Sequence, residues 1–183
     1  MVEVVLRTVS VDIASATPIL LLEEVHGHRV LPIFIGQPEA AAIAYALQEI
    51  ETPRPMTHDL MGDLISTLGA KVFDVEIQSL VGSTYYAAVR LVQGEREFVI
   101  SARPSDAIAL ALRVGSPILV NDELMDAEGQ ILEADDETDD EVVDMYEYYL
   151  GTNDGADDES SEEELVAELH EFLDGFGRAE GSA

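Results

Sequence analysis

The sequence contains no cysteine, which excludes disulfides and thiolate metal sites. Long hydrophobic runs are also missing. No apolar stretch approaches the roughly 18 residues expected of a membrane span, and Met1-Val2-Glu3-Val4-Val5 lacks a basic segment leading into an apolar one. These two absences argue for a cytoplasmic protein with no membrane partner. Positive charge is scarce as well: 9 Lys+Arg face 38 Asp+Glu, for a formal net charge of −29. Such a field repels nucleic acid at long range.

The negative charge is unevenly spread. Residues 1–120 hold 14 acidic and 8 basic side chains, a net of −6, while residues 121–183 hold 24 acidic side chains and only Arg178, a net of −23. The global figure therefore describes the C-terminal part and leaves a local basic site possible in the rest. We read residues 1–132 as one folded domain and residues 133–183 as an acidic, partly disordered extension. Two islands interrupt the acidic blocks. One gathers Val142, Val143, Met145, Tyr146, Tyr148 and Tyr149; the other, Leu165 to Phe176, has helical spacing. Ser161 and Glu164 have capping-box spacing, so a helix is expected near 161–175. The acidic blocks themselves read as solvated linkers in preference to a nucleic-acid mimic.

Residues 2–13, 18–25 and 29–35 are β-branched and apolar, and His26-Gly27-His28 is short enough only for a tight turn, so the second and third pair as a hairpin. The two histidines read as solvated turn residues. Gly36-Gln37-Pro38-Glu39 opens a helix through Ala40 to Gln48 that is apolar nearly all round. A second such helix follows Arg103. Two of them in about 120 residues are difficult to cover from within, which points to a homo-oligomer. Between them, Thr57 is placed to cap an amphipathic helix whose apolar face is Leu60, Met61, Leu64, Ile65 and Leu68. Three alternating runs, 71–80, 84–92 and 96–100, form an antiparallel meander, and residues 116–120 return as a short strand. The order βββ-α-α-βββ-α-β makes an α+β fold, a mixed or antiparallel sheet covered by helices.

The chemistry is concentrated in two strings, Arg54-Pro55-Met56-Thr57-His58-Asp59 and Arg103-Pro104-Ser105-Asp106. Each offers an arginine, a proline, a hydroxyl able to cap, and an aspartate in the first turn of a helix; in the second, Ser105 or Asp106 is expected to cap and Gly115 to end the helix left-handed. A guanidinium beside free N–H groups at a helix start suits an anion. If the two starts meet, Arg54, Arg103, Thr57 and Ser105 can hold phosphate, His58 can transfer protons with Asp59 and Asp106, and Glu39, Asp59 and Asp106 can hold Mg²⁺ or Mn²⁺. The competing reading pairs each arginine with a carboxylate that only fixes its helix. No organic cofactor is expected.

Three blocks together resemble the bifunctional nuclease domain family: Pro32-Ile33-Phe34-Ile35-Gly36 followed by Glu39-Ala40-Ala41-Ala42-Ile43; Arg54 to Leu60; and Ala102 to Leu112. The resemblance covers roughly residues 1–130. It implies a compact α+β domain and a nuclease acting on RNA, DNA or both, with Glu39, Arg54, Thr57, His58, Asp59, Arg103, Ser105 and Asp106 on the family's polar signature. Ser101 stands where many members have an aspartate. The alternative function is a non-catalytic module that binds a nucleotide or a protein partner.

Overall fold

The computed structural model describes residues 1–12, 15–50 and 52–131, together with the backbone of 142–144. Val2–Asp12 (β1), Thr17–Glu24 (β2) and Arg29–Phe34 (β3) form the expected antiparallel ribbon, with a bulge in β1 between Leu6 and Thr8. Two helices follow, Gln37–Leu47 (α1) and Thr57–Thr67 (α2). Lys71–Val81 (β4), Thr84–Gln93 (β5) and Arg96–Ala102 (β6) make the meander, and Pro104–Val114 (α3) leads to Ile118–Val120 (β7).

The short strand β7 joins the two halves. It lies antiparallel to Val2–Val4 of β1 and parallel to Val75–Ile77 of β4. The sheet is therefore mixed. Two further elements extend it: Asp122–Glu128 (α4) and Gln130–Ile131 (β8), which pairs with β3. The strand order is β6-β5-β4-β7-β1-β2-β3-β8, and Val142–Asp144 (β9) pairs with Ser10–Asp12 of β1. Sequence patterning did not anticipate α4. Its signal is Asn121, whose Oδ1 accepts from the backbone N–H of Glu123 at 2.8 Å, followed by two acidic residues in the first turn. The expected helix near 161–175 and the rest of the acidic extension lie outside the described residues.

One face of the sheet carries the helices. Val75, Ile77, Ala87, Val89 and Leu91 of the meander meet Ala107, Ile108, Leu110 and Ala111 of α3, and the core continues through Leu20, Leu22, Leu31, Ile33 and Ile43. Helix α3 fits the expectation of an all-round apolar helix, with seven of its residues buried. Helix α1 does not. Only Ala40 and Ile43 are fully enclosed, and among the described residues α3 is the main helix packed against α1. No described helix is long and apolar enough to cross a membrane.

The helix starts also differ from expectation. Pro104 takes the first helical position, which forces the residue before it to be extended, so Arg103 occupies the cap position at φ −74, ψ 148 and Ser105 and Asp106 lie inside the first turn. Thr57 likewise is the first residue of α2, and Met56 precedes it as the cap. Asp59 Oδ2 accepts from the Met56 N–H at 2.8 Å, the reach-back half of a capping box, so the carboxylate two residues on from Thr57 sets the start.

Candidate functional site

The starts of α1, α2 and α3 converge, and a chain of charged groups runs across them. Arg103 donates from Nε to Asp106 Oδ2 at 2.8 Å, from Nη2 to Asp106 Oδ1 at 3.2 Å, and from Nη1 to Glu39 Oε1 at 2.7 Å. His58 Nε2 lies 3.2 Å from the same Asp106 Oδ1. Glu39, Arg103, Asp106 and His58 thus form one connected line, each member contributed by a first turn or cap. The helices bring together residues that are 64 positions apart at the ends of that line's first contact.

Electrostatics fix the protonation. The Arg103 guanidinium holds the Asp106 carboxyl below the ordinary aspartate range; burial opposes this and the His58 contact adds to it. Asp106 and Glu39 in turn hold Arg103 more firmly protonated than usual. An ionised carboxylate only accepts hydrogen bonds, so His58 Nε2 is the donor in this contact. His58 is only 8 % exposed, whereas the Arg103 side chain is 64 % exposed. Three of the five Arg103 N–H groups are committed to carboxylates, which leaves two for a ligand.

The remaining expected residues separate from this line. Asp59 faces Arg113, which donates from Nε to Asp59 Oδ1, from Nη1 to Ala109 O at 2.9 Å and from Nη2 to Ala42 O at 2.9 Å. Arg113 therefore ties α2, α3 and α1 together, a role that sequence reading missed. Its only sequence signal is a cation closing an apolar helix, which ordinarily reads as a favourable charge at the negative end of the dipole. Arg54 is exposed in the loop before α2, and among the described residues its guanidinium has no ion-pair partner. Thr57 is exposed on the first turn; Ser105 is 6 % exposed and packed beneath Arg103's helix start.

The three carboxylates expected to hold a divalent ion do not form a ligand set. Glu39 and Asp106 are both turned onto Arg103 and Asp59 onto Arg113, and among the described residues no three His, Asp or Glu side chains come together as a metal site. A separate feature suits an anion: neither α2 nor α3 carries a side-chain cap, so the first-turn N–H groups remain available.

The family described as "Bifunctional nuclease domain" matches residues 20–133, which takes in all three helix starts. The chain belongs to the bifunctional nuclease domain family. An uncharacterized protein of Mycobacterium tuberculosis strain H37Rv is 48% identical over 126 residues, covering 69% of this chain and 74% of that protein. More distant relatives carry the activity in their names. Bifunctional nuclease 1 of Oryza sativa subsp. japonica is 33% identical over 113 residues, covering 60% of this chain but 34% of the rice protein. Bifunctional nuclease 2 of Arabidopsis thaliana is 29% identical over 103 residues, covering 55% of this chain and 31% of the plant protein. The stretch these plant proteins share with this chain is thus about a third of each, while the bifunctional nuclease domain is the larger part of this chain.

Proposed function

We propose that this bifunctional nuclease domain hydrolyses phosphodiester bonds in RNA, DNA or both, at the joined starts of α2 and α3. The observation that carries the reading is the pairing of His58 Nε2 with Asp106 Oδ1 beside an exposed, partly uncommitted Arg103. A carboxylate that fixes an imidazole's tautomer leaves the other nitrogen as a base, which is how histidine takes a proton from an attacking water. Arg103 offers two N–H groups, Arg54 stands on the adjoining loop with its charge unmatched among the described residues, and uncapped N–H groups complete an oxyanion-binding surface. Water would attack phosphorus, its proton passing to His58 Nδ1 as the bond to the leaving oxygen breaks, and the leaving oxygen would take up a proton from solvent to depart as the alcohol. RNA or DNA is then the substrate, with the exposed Arg103, Arg54 and Thr57 as the groups open to its phosphates, while buried Ser105 supports the helix start.

No step is assigned to a divalent ion, because the carboxylates are already matched to arginines. The test is degradation of single-stranded RNA and DNA by purified protein, with Mg²⁺, with Mn²⁺ and with chelator. His58→Ala is expected to lower the rate at least tenfold, within the range that general acid–base groups contribute. Equal rates in the two proteins would sink the assignment.

One observation favours a second reading. Arg103 has two carboxylate partners and His58 is nearly enclosed, a balanced arrangement that would also suit a module binding a nucleotide or an acidic partner without turnover. Saturable binding of an oligonucleotide with no cleavage under any of the three conditions would select it.

A further inference from the structure

We infer that two copies of this chain pair edge to edge through β6, with Val99 of each on the two-fold axis. The edge is unusually apolar. Phe98, Val99 and Ile100 are all exposed on the last strand of the sheet, Val99 at 66 %. Unprotected edges of this kind template further pairing, and charges, prolines or bulges normally blunt them; from Phe98 to Ile100 β6 has none of these.

The register follows from the hairpin. The two-residue turn Gly94-Glu95 makes Gln93 and Arg96 the hydrogen-bonded pair nearest the loop. Bonded and non-bonded pairs alternate from there, so the N–H and C=O groups of Glu97, Val99 and Ser101 point away from β5. An antiparallel ladder centred on Val99 uses all three: Val99 faces the partner's Val99, Glu97 faces the partner's Ser101, and Ser101 faces the partner's Glu97. Val99 is also the middle residue of the strand, so this centre uses its whole length.

The helix layer supplies the rest of the surface. Gly62 of α2 faces Val114 and Leu110 of α3, which places Leu60 and Leu64 on the opposite flank of α2, with Leu68 at its C-terminal cap one turn after Leu64. These three are exposed, Leu68 at 70 %, while Met61 and Ile65 pack on the core. Helix α2 begins beside Asp106, just after β6 ends, and finishes where Leu68 O accepts from Gln93 Nε2 at 2.6 Å, just before β6 starts. Its two ends therefore lie near the two ends of the edge strand. Phe98 and Ile100, opposite the buried Leu91 and Val89, share its face of the sheet.

Area and charge both favour a second copy as the occupant. Half-exposed side chains of this size present on the order of 100 Å² each, so the six give about 600 Å², most of the roughly 800 Å² per partner in a standard interface. A monomer seldom leaves a larger apolar patch bare. Past the end of the ladder, the same register sets the partner's Glu95 opposite Arg103, an attractive pair in an otherwise acidic molecule. Each candidate site then has the other subunit's β5–β6 turn beside it.

The absence of cysteine allows a direct test on the full chain. Opposed residues of a bonded antiparallel pair have Cα atoms about 5.5 Å apart, within disulfide reach. Val99→Cys should cross-link to itself under mild oxidant, whereas Glu97→Cys alone should cross-link at least tenfold less and should be restored by mixing with Ser101→Cys. Sedimentation of the unmodified protein should give twice the 19.9 kDa chain mass. Val99→Lys, which opposes two like charges at the axis, should give the single mass with an unchanged circular dichroism spectrum. A monomeric wild type, a dimeric Val99→Lys, or cross-linking of Glu97→Cys equal to that of Val99→Cys would each overturn the interface.

Discussion

Asp106 accepts from the Arg103 guanidinium and lies within hydrogen-bond reach of the His58 imidazole, and its carboxyl is held below the ordinary range chiefly by the Arg103 hydrogen bonds. A group whose folded pKa is depressed contributes stability that is complete above its unfolded value, about pH 4, and is lost as pH falls through the folded value. Asp106→Asn should therefore destabilise the protein at neutral pH and show a shallower loss of stability between neutral and acidic pH than the wild type. Urea midpoints measured across that range would check it; parallel profiles would mean that Asp106 is not a source of the acid sensitivity. His58, Arg103 and Asp106 were legible in sequence because proline, hydroxyl and carboxylate crowd into two short strings, and Glu39 because it follows Pro38 at a helix start. Arg113 was not, since its importance depends on Ala42 O, Ala109 O and Asp59 meeting in space, and nothing in Leu112-Arg113-Val114 marks that meeting.

Periodicity identified the two ribbons, the three major helices and their order, because each has one face against a common core. The helix starts were less legible. A serine or threonine near a proline suggests a cap, but Pro104 makes Arg103 the cap of α3, and Asp59 reaching back to Met56 makes Met56 the cap of α2, with Thr57 its first helical residue. The stop of α3 was clear: Gly115 adopts φ 67, ψ 33, the left-handed region that only glycine enters without steric cost. Gly115→Ala should lower stability by about 1 kcal/mol through backbone strain alone. No neighbouring atom lies where the new methyl would go, so thermal unfolding should report that strain without a clash. The orientation of α2 could not be read from its apolar count, because Leu60 and Leu64 belong to a different flank from Met61 and Ile65.

At the scale of the whole molecule, charge sets the approach of any polyanion. Residues 121–183 carry a net of −23, beyond a domain whose first 120 residues carry −6. A chain ending at residue 133 should bind a labelled single-stranded oligonucleotide more tightly than the full chain at low salt, with the two converging as salt screens the field. Identical affinities at low salt would show that the acidic segment does not reach the site. The small strand β7 has a consequence in time. Residues 118–120 are the seam between the β1–β3 ribbon and the β4–β6 meander, yet both halves precede them in the chain. As synthesis proceeds from the N-terminus, β1 and β4 must each wait with an open edge until those three residues emerge. That interval is when the nascent chain is most open to pairing with the wrong strand, and it closes when β7 completes the sheet.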